Sequence, residues 1–578
     1  MPSTVNYTAG KEAEILSNPN SLWGFIFVEL LHRSGVREIV VSPGSRSTPL
    51  MVAIERHPGL RTTCIVDERS ASFFALGLAK ASTNCVALLC TSGSAGGHYL
   101  PAVMEASETN TPLLILTADR PPELHGCHSG QTTDQQKLFG GYVRLFQELP
   151  VPSESHTVMR HLREVVPYAV ERSQAPLAGP VHLNCPIADP LTPGTGRVNT
   201  SFEVCLAESF FADINKAFPE KLPANGLIIA GTMLTSSGME DCTALAAIQK
   251  HTGWPVLADV MAPWRFHSDL FEQVLITQYE NILQNARWAE TLRPDFVLQI
   301  GQLPTGKNLR GWLSTLNVPV LTVDEQFMSL DPLGRGVHYC RHALSDFGRE
   351  ITESAIVQGN SPSDWSRLEL FCRNRIAEAF STANPFFEGR LSRAVFQRLP
   401  ASLDIFIANG MIVRDAESYW TGDNSHRSIY QNRGLNGIDG ILSTAMGVAL
   451  AREGACLFTG DLSFLHDTNG LLQAKHFPEH LAVVVMDNAG GGIFEHLPIA
   501  EHGTVFERYF ACPQTVDLAL LCEAYGVHYK AVDTEDDFGD INPVRKGVFV
   551  YHLKTNRKQD AAFRKQLRQT VSHELDLQ

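Results

Sequence analysis

Ala455-Cys456-Leu457-Phe458-Thr459-Gly460-Asp461-Leu462-Ser463 and Leu481-Ala482-Val483-Val484-Val485-Met486-Asp487-Asn488-Ala489-Gly490 carry the strongest fold signal in the chain. Each is a short apolar run of the length of a buried parallel strand, and each is followed at once by a polar residue able to bind a ligand. Asp461 and Asn488 lie 27 residues apart, enough for a helical crossover between two neighbouring parallel strands, with the helix expected from about Asp467. A carboxylate, an amide oxygen and the loop carbonyl of Gly490 form an oxygen-rich half-shell for Mg²⁺ that phosphate oxygens can complete. Seen alone, Gly-Asp also suits a turn and Asp-Asn-Ala-Gly a hairpin or helix cap, so a second feature has to discriminate.

That feature is Glu68 in Thr63-Cys64-Ile65-Val66-Asp67-Glu68-Arg69-Ser70, an acid leaving a short apolar run and entering a small-residue helix over Ala71–Ser82. Such a glutamate can be deeply packed, and it can equally be a first-turn carboxylate favoured by the helix dipole.

Short β-rich runs alternate with helical patterns along the chain, the sequence form of doubly wound α/β domains. The first block holds a helix over Leu22–Ser34, strands at Glu38–Val41, Cys85–Cys90, Leu113–Thr117 and Pro180–Asn184, and a helix over Thr157–Arg172. Asp189–Thr200 reads as a Pro/Gly/Thr-rich linker. A middle block has strands at Leu227–Ala230, Val256–Ala258, Phe296–Ile300 and Val320–Val323 and ends near Asn384-Pro385; the last has Ile405–Ala408, Ala455–Thr459, Leu481–Met486 and Val548–Leu553. The expected fold is therefore α/β, with three doubly wound parallel-sheet domains over residues 1–195, 196–380 and 381–578. The two outer blocks can share one topology without visible sequence identity.

Open α/β sheets bind ligands at the carboxyl ends of their strands, which singles out three loops of the first block. Ser42-Pro43-Gly44-Ser45-Arg46-Ser47 offers a guanidinium and hydroxyls at a helix start, a combination suited to an anion. Thr91-Ser92-Gly93-Ser94-Ala95-Gly96-Gly97 is able to approach a ligand closely. Thr117-Ala118-Asp119-Arg120-Pro121-Pro122-Glu123-Leu124 places Arg120 after a strand, and Gln131 follows it.

Composition bounds the class of protein. The 578 residues are 44% hydrophobic and 19% charged, as in a globular enzyme of several domains. The net charge of −15 argues against a general nucleic-acid surface, which needs clustered Lys and Arg. Twelve cysteines are scattered without a C-x-x-C pair, and those in apolar runs, such as Cys85, Cys90 and Cys456, read as reduced and buried. No apolar stretch has the length of a membrane span and the first residues lack a signal-peptide core, so the expectation is a cytoplasmic protein with no stable membrane insertion.

The pairing of strand–Glu–helix with a later Gly-Asp…Asp-Asn motif resembles the thiamine-diphosphate enzymes. Pro43-Gly44-Ser45-Arg46-Ser47, Thr117 to Leu124, and Asn432-Arg433-Gly434…Gly437-Ile438-Asp439-Gly440 narrow the resemblance to the family of 2-succinyl-5-enolpyruvyl-6-hydroxy-3-cyclohexene-1-carboxylate synthases of menaquinone and phylloquinone biosynthesis, over nearly the whole chain. The resemblance implies thiamine diphosphate with Mg²⁺ or Mn²⁺ as cofactors. It implies 2-oxoglutarate and isochorismate as substrates, and a homodimer or dimer of dimers, with the cofactor held between a first-block and a last-block domain of different subunits. It makes Glu68 the cofactor-activating acid, Asp461, Asn488 and Gly490 the metal ligands, and Ser94, Asn409, Leu462 and Ser463 further cofactor contacts. Ile438 becomes the apolar wedge under the cofactor. Arg414 and Arg433 fall to the 2-oxoglutarate carboxylates, and Ser45, Arg46, Arg120, Gln131 and Lys307 to isochorismate or the intermediate. Ile493, Phe494 and Leu497 become an apolar wall, although plain core packing accounts for them equally well. Each arginine also suits an ordinary ion pair. Another thiamine-diphosphate 2-oxo acid decarboxylase or carboligase, and a catalytically silent metabolite-binding relative, are the alternatives.

The chain departs from the family pattern in four places. The metal motif reads Gly-Asp-Leu-Ser and Asp-Asn, where thiamine-diphosphate enzymes more often have Gly-Asp-Gly and Asn-Asn. Gly410 stands where these synthases usually carry serine, and Asn308 where some carry a second cation after Lys307. The expectation at Gly410 is that serine is tolerated.

Overall fold

The computed structural model describes residues 18–578 except 83, 194–220, 234–237, 326–332, 334–337, 341, 355, 358–363, 383 and 385. Residues 194–200 of the expected linker and the first domain boundary lie outside the described residues.

The first sheet comprises β1 (Glu38–Val41), β2 (Arg61–Cys64), β3 (Val86–Cys90), β4 (Leu113–Asp119), β5 (Leu145–Glu148) and β6 (Pro180–Pro186). Its order is β2-β1-β3-β4-β6-β5 and every pairing is parallel. β3, β4 and β6 are buried at every residue, as expected of parallel strands covered on both faces by helices. β7 (Lys221–Leu222) and β13 (Ile356–Val357) make a two-stranded ladder. The middle sheet, in order β12-β11-β10-β8-β9, uses β8 (Gly226–Ala230), β9 (Val256–Ala258), β10 (Phe296–Ile300), β11 (Val320–Val323) and β12 (His338–Cys340).

The third sheet comprises β14 (Asp404–Ile407), β15 (Ile429–Tyr430), β16 (Ala455–Gly460), β17 (His480–Asp487), β18 (His528–Ala531) and β19 (Gly547–Lys554), in order β15-β14-β16-β17-β19-β18. Counted within its own block, this is the strand order of the first sheet, so the two outer blocks share one topology. The order reverses between the first and third strand of each sheet, and that switch point opens a crevice at the carboxyl ends.

The chain forms two compact units. One contains the first sheet together with Asn432–Arg452 and His466–His476; the other contains the middle and third sheets. Within the first unit, the helix Ile441–Ala451 packs on the helix Glu68–Ser82 through glycines. A Cβ on Gly77 would stand 2.0 Å from the Thr444 carbonyl oxygen, and one on Gly447 2.2 Å from that of Phe74. Close helix approach of this kind needs the missing side chain.

Three local expectations change. The helix expected from about Asp467 begins at Asp461 itself and continues as a 3₁₀ segment over Thr468–His476. The strand before Glu68 is Arg61–Cys64, an edge strand largely open to solvent; past it Ile65 is buried while Val66 is 66% exposed. Glu68 is accordingly half-buried at the first position of its helix, not deeply packed. Cys85, Cys90 and Cys456 are free and buried, and burial pushes each thiol up to about 12.

Candidate active site

In the first unit, the loops after β1, β3 and β4 converge at the switch point. The loops after β1 and β3 touch directly: a Cβ on Gly44 would come within 2.2 Å of the Thr91 Cβ, and the Arg46 N–H donates to Thr91 Oγ1 at 3.2 Å. Arg46 is only 6% exposed, its Nη1 donating to the Ile187 carbonyl at 2.8 Å while Asp189 lies 3.7 Å away. Burial, and then the neighbouring Arg120 charge, lower the Arg46 pKa, so the two guanidiniums share one neighbourhood. Two like charges held together suit a polyanionic ligand. Arg120 donates through Nη2 to the Gly130 carbonyl at 3.1 Å, tying it to the segment that presents Gln131. Gln131 has φ +54 and packs against Gly93, whose own φ is +94. Ser45 and Ser94 are exposed on the same loops.

A buried network that sequence reading did not single out holds these loops. Gln135 accepts the Gly93 N–H at 3.0 Å and donates to Asn184 Oδ1 at 3.0 Å; Asn184 donates to Asp119 Oδ2 at 2.9 Å, and Asp119 Oδ1 accepts the Arg120 N–H at 2.7 Å. Gln135, Asn184 and Asp119 are each fully buried, and such networks specify one arrangement when every member is paired.

The Asn432–Gly440 loop belongs to the same unit. Glu105, 3% exposed, accepts the N–H groups of Gly434 at 3.2 Å and Leu435 at 2.9 Å, and pairs with Lys80 at 3.2 Å. Lys80 also donates to Asn432 Oδ1 at 2.9 Å. This clamp positions half-buried Arg433 and leaves the apolar Ile438 side chain 38% exposed. Lys80 and Glu105 lie 25 residues apart, and only the fold makes them a pair.

In the second unit, Asn409, Asp461 and Asn488 follow three adjacent strands, β14, β16 and β17. Asp461 is 5% exposed and accepts the Gly490 N–H at 2.8 Å. Burial, reinforced by Asp487, pushes its carboxyl up to about 7, and no cationic side chain pairs with it among the described residues. Asn488 Oδ1 is buried and without a hydrogen-bond partner. The Gly490 carbonyl takes the Gly492 N–H at 2.8 Å, which leaves a second lone pair; Gly490 has φ +126, and a Cβ there would meet the Ala511 carbonyl oxygen at 2.1 Å. An uncompensated carboxylate, an orphaned amide oxygen and a carbonyl fit a hard divalent cation such as Mg²⁺ or Mn²⁺. Ser463 is buried and Leu462 half-buried on the same turn.

Arg414 is exposed and donates to the Gly410 carbonyl at 2.7 Å. Gly410 has φ +89 and ψ −138, a region almost closed to residues with a Cβ, although nothing would crowd the Cβ itself. The expectation that serine is tolerated there is therefore corrected: the backbone requires glycine. Burial and the charges of Arg564, Arg568 and Arg414 hold His496 down to about 4, so the surface beside Arg414 is cationic and includes Arg568, which sequence reading missed. Ile493 and Phe494 are half-buried, Phe494 packing edge-on to Phe510 with ring centroids 5.7 Å apart, and Leu497 is 49% exposed. Lys307 is exposed at the start of the helix Lys307–Leu313. Asn308 anchors that helix start locally, its N–H and Nδ2 donating to Glu280 at 3.1 and 2.9 Å.

Two doubly wound sheets of the same order, with a half-buried glutamate after one and an oxygen cluster of Asp461, Asn488 and Gly490 on the other, are features of the thiamine pyrophosphate (thiamine diphosphate) enzymes. Models of that class match here as the N-terminal TPP binding domain over residues 23–138, the middle domain over 215–407 and the C-terminal TPP binding domain over 409–546. A solved benzoylformate decarboxylase from Polynucleobacter necessarius shares the fold, with a TM-score of 0.68 at 17% identity over 94% of this chain and 99% of that one.

Within that class the chain belongs to the family of 2-succinyl-5-enolpyruvyl-6-hydroxy-3-cyclohexene-1-carboxylate synthases. It is 43% identical over 572 residues to the synthase of Gloeothece citriformis, covering 95% of this chain and 97% of that one. It is 41% identical to those of Synechococcus elongatus and a Nostoc species, covering 95% of this chain in each case and 96% and 97% of theirs.

Proposed function

We propose that this chain decarboxylates 2-oxoglutarate and adds the resulting succinyl unit to isochorismate, giving 2-succinyl-5-enolpyruvyl-6-hydroxy-3-cyclohexene-1-carboxylate and CO₂. The observation that carries the reading is the presence of arginine groups on both outer sheets of an acidic protein, Arg46 with Arg120 and Arg414 beside Arg568, as two dicarboxylate substrates require.

When bound, thiamine diphosphate supplies the electron sink that lets a 2-oxo acid lose CO₂. Asp461, Asn488 and the Gly490 carbonyl would hold its divalent cation, while Ser94, Asn409, Leu462 and Ser463 would contact the cofactor and Ile438 would support it from below. Glu68 would share a proton with the cofactor's aminopyrimidine ring through its carboxylate. Arg414 and Arg433 would orient 2-oxoglutarate by its carboxylates. Ser45, Arg46, Arg120, Gln131 and Lys307 would receive isochorismate, with Ile493, Phe494 and Leu497 keeping water from the reacting carbons. We assign the domains to residues 1–195, 196–380 and 381–578, the assembly to a homodimer or dimer of dimers whose subunits complete one another's sites, and the compartment to the cytoplasm. No described helix is long and apolar enough to cross a membrane.

The test is CO₂ release from 2-oxoglutarate and from pyruvate, each with and without isochorismate. The reading requires multiple turnovers only with 2-oxoglutarate and isochorismate together; equal turnover of pyruvate contradicts it.

A further inference from the structure

Asn488 can serve a cation only with its oxygen, yet an amide's oxygen and nitrogen are nearly the same size, so shape alone does not decide which faces the cradle. Hydrogen bonding decides it. Asn488 Nδ2 donates to Glu388 Oε1 at 2.6 Å, and both side chains are buried, at 8% and 2% exposure. Glu388 offers no donor: its Oε2 accepts Arg564 Nη2 at 2.5 Å and its Oε1 also accepts Thr555 Oγ1 at 3.1 Å. A carboxylate engaged in this way can receive only the amide nitrogen, and Asn488 Oδ1 is left pointing elsewhere, buried and unpaired.

We propose that Glu388 is a positioning residue that fixes the amide of Asn488 with its oxygen toward the cation site, and that Arg564 locks Glu388 in that role. The opposite rotamer would aim two N–H donors at a divalent cation. Gly492 leaves the space the arrangement needs, since a Cβ there would lie 2.6 Å from Asn488 Nδ2. Arg564, 2% exposed, also binds Asp415 through Nε at 2.8 Å and Nη2 at 2.5 Å. Asp415 follows Arg414 on the helix Met411–Tyr419, so one buried guanidinium from the C-terminal helix Arg557–Leu575 braces both the metal-binding loop and the helix that presents Arg414. Partners one step removed from a metal commonly change its affinity by about 10–100-fold.

The proposal rests on the reading of Asp461, Asn488 and Gly490 as the cation cradle. The experiment is a Mn²⁺ titration followed by electron paramagnetic resonance, on the full-length chain with thiamine diphosphate and no substrate. In Glu388→Gln, Arg564 claims the amide oxygen, the new NH₂ faces residue 488, and Asn488 must turn its oxygen to meet it. Mn²⁺ affinity should fall at least about tenfold. Adding Asn488→Asp should restore it to within about threefold, because a carboxylate has an oxygen for both neighbours. The Asn488→Asp change alone sets two carboxylates against each other, so it should bind Mn²⁺ more weakly than the double variant; that comparison decides the matter if Glu388→Gln does not fold. A folded Glu388→Gln with parental Mn²⁺ affinity, or a double variant no better than Asn488→Asp, overturns the positioning role. Parental Mn²⁺ affinity in Asp461→Ala would instead refute the cradle itself.

Discussion

The Gly490 N–H donates to Asp461 across 2.8 Å, so the loops leaving β16 and β17 are joined by the very carboxylate assigned to the cation. Asp461 Oδ2 accepts the Gly490 N–H, and the Leu462 backbone N–H also bonds the carboxylate. The turn from Asp487 runs through Ala489 at φ +60 and Gly490 at φ +126. The strained pair brings the Gly490 N–H back to Asp461.

Glu68→Gln should retain thiamine diphosphate but lower turnover by about 10²–10⁴-fold, since an amide cannot exchange the proton with the aminopyrimidine ring. Isothermal calorimetry of cofactor binding beside steady-state kinetics checks both halves. Turnover near the parental value would remove Glu68 from the chemistry.

The arginines should separate by substrate. Under the proposed assignment, Ala at Arg414 or Arg433 should cost a charge-assisted contact of about 1.5–3 kcal/mol to 2-oxoglutarate and slow single-turnover CO₂ release. Ala at Arg120 or Arg46 should leave that release largely intact and impair transfer to isochorismate. Equal loss of CO₂ release in Arg120→Ala and Arg414→Ala would show that the two pockets are not divided in this way.

Gly410→Ala and Gly410→Ser should behave alike, each losing about 1–3 kcal/mol of stability at φ +89 and raising the KM for 2-oxoglutarate, because the carbonyl that Arg414 grips must shift. Denaturant unfolding and kinetics measure the two effects. Were serine harmless while alanine was not, the missing hydroxyl rather than the backbone would be the issue at this position.

Glu417 gives a pH prediction. Burial pushes its carboxyl up to about 7, against the opposing charge of Arg265 at 2.6 Å and a hydrogen bond from Tyr279. A carboxyl raised in the folded state adds stability that is full below its ordinary value of 4.5 and is lost as pH climbs through about 7. Denaturant midpoints of the parent should therefore fall from pH 5 to pH 8 more steeply than those of Glu417→Gln, which cannot titrate. Parallel slopes would mean that Glu417 stays charged throughout.

Much of the fold is legible because parallel strands are continuous apolar runs: Glu38–Val41, Val256–Ala258, Phe296–Ile300 and Val320–Val323 need no correction. Asp461, Asn488 and Arg120 are legible because strand ends announce their loops. What escapes are partners distant in sequence. Glu388 sits in a stretch that reads as a domain boundary, Arg568 on an ordinary charged helix, and Gln135 and Asn184 in segments with no motif. The φ of Gly410 is invisible for a related reason, since glycine is permitted everywhere and its sequence does not say where it is required.

The glycine-mediated packing of Ile441–Ala451 on Glu68–Ser82 also has a bearing on how the chain is made. Some 370 residues separate the ends of those two helices. At a synthesis rate of about 5–20 residues per second, the helix Glu68–Ser82 waits roughly 20–70 s for the helix that covers Phe74 and Gly77. During that interval the surface that will be closed by Gly447 and Thr444 is bare, so the nascent first unit is the stage at which a chaperone, or a second nascent chain, has the most to hold.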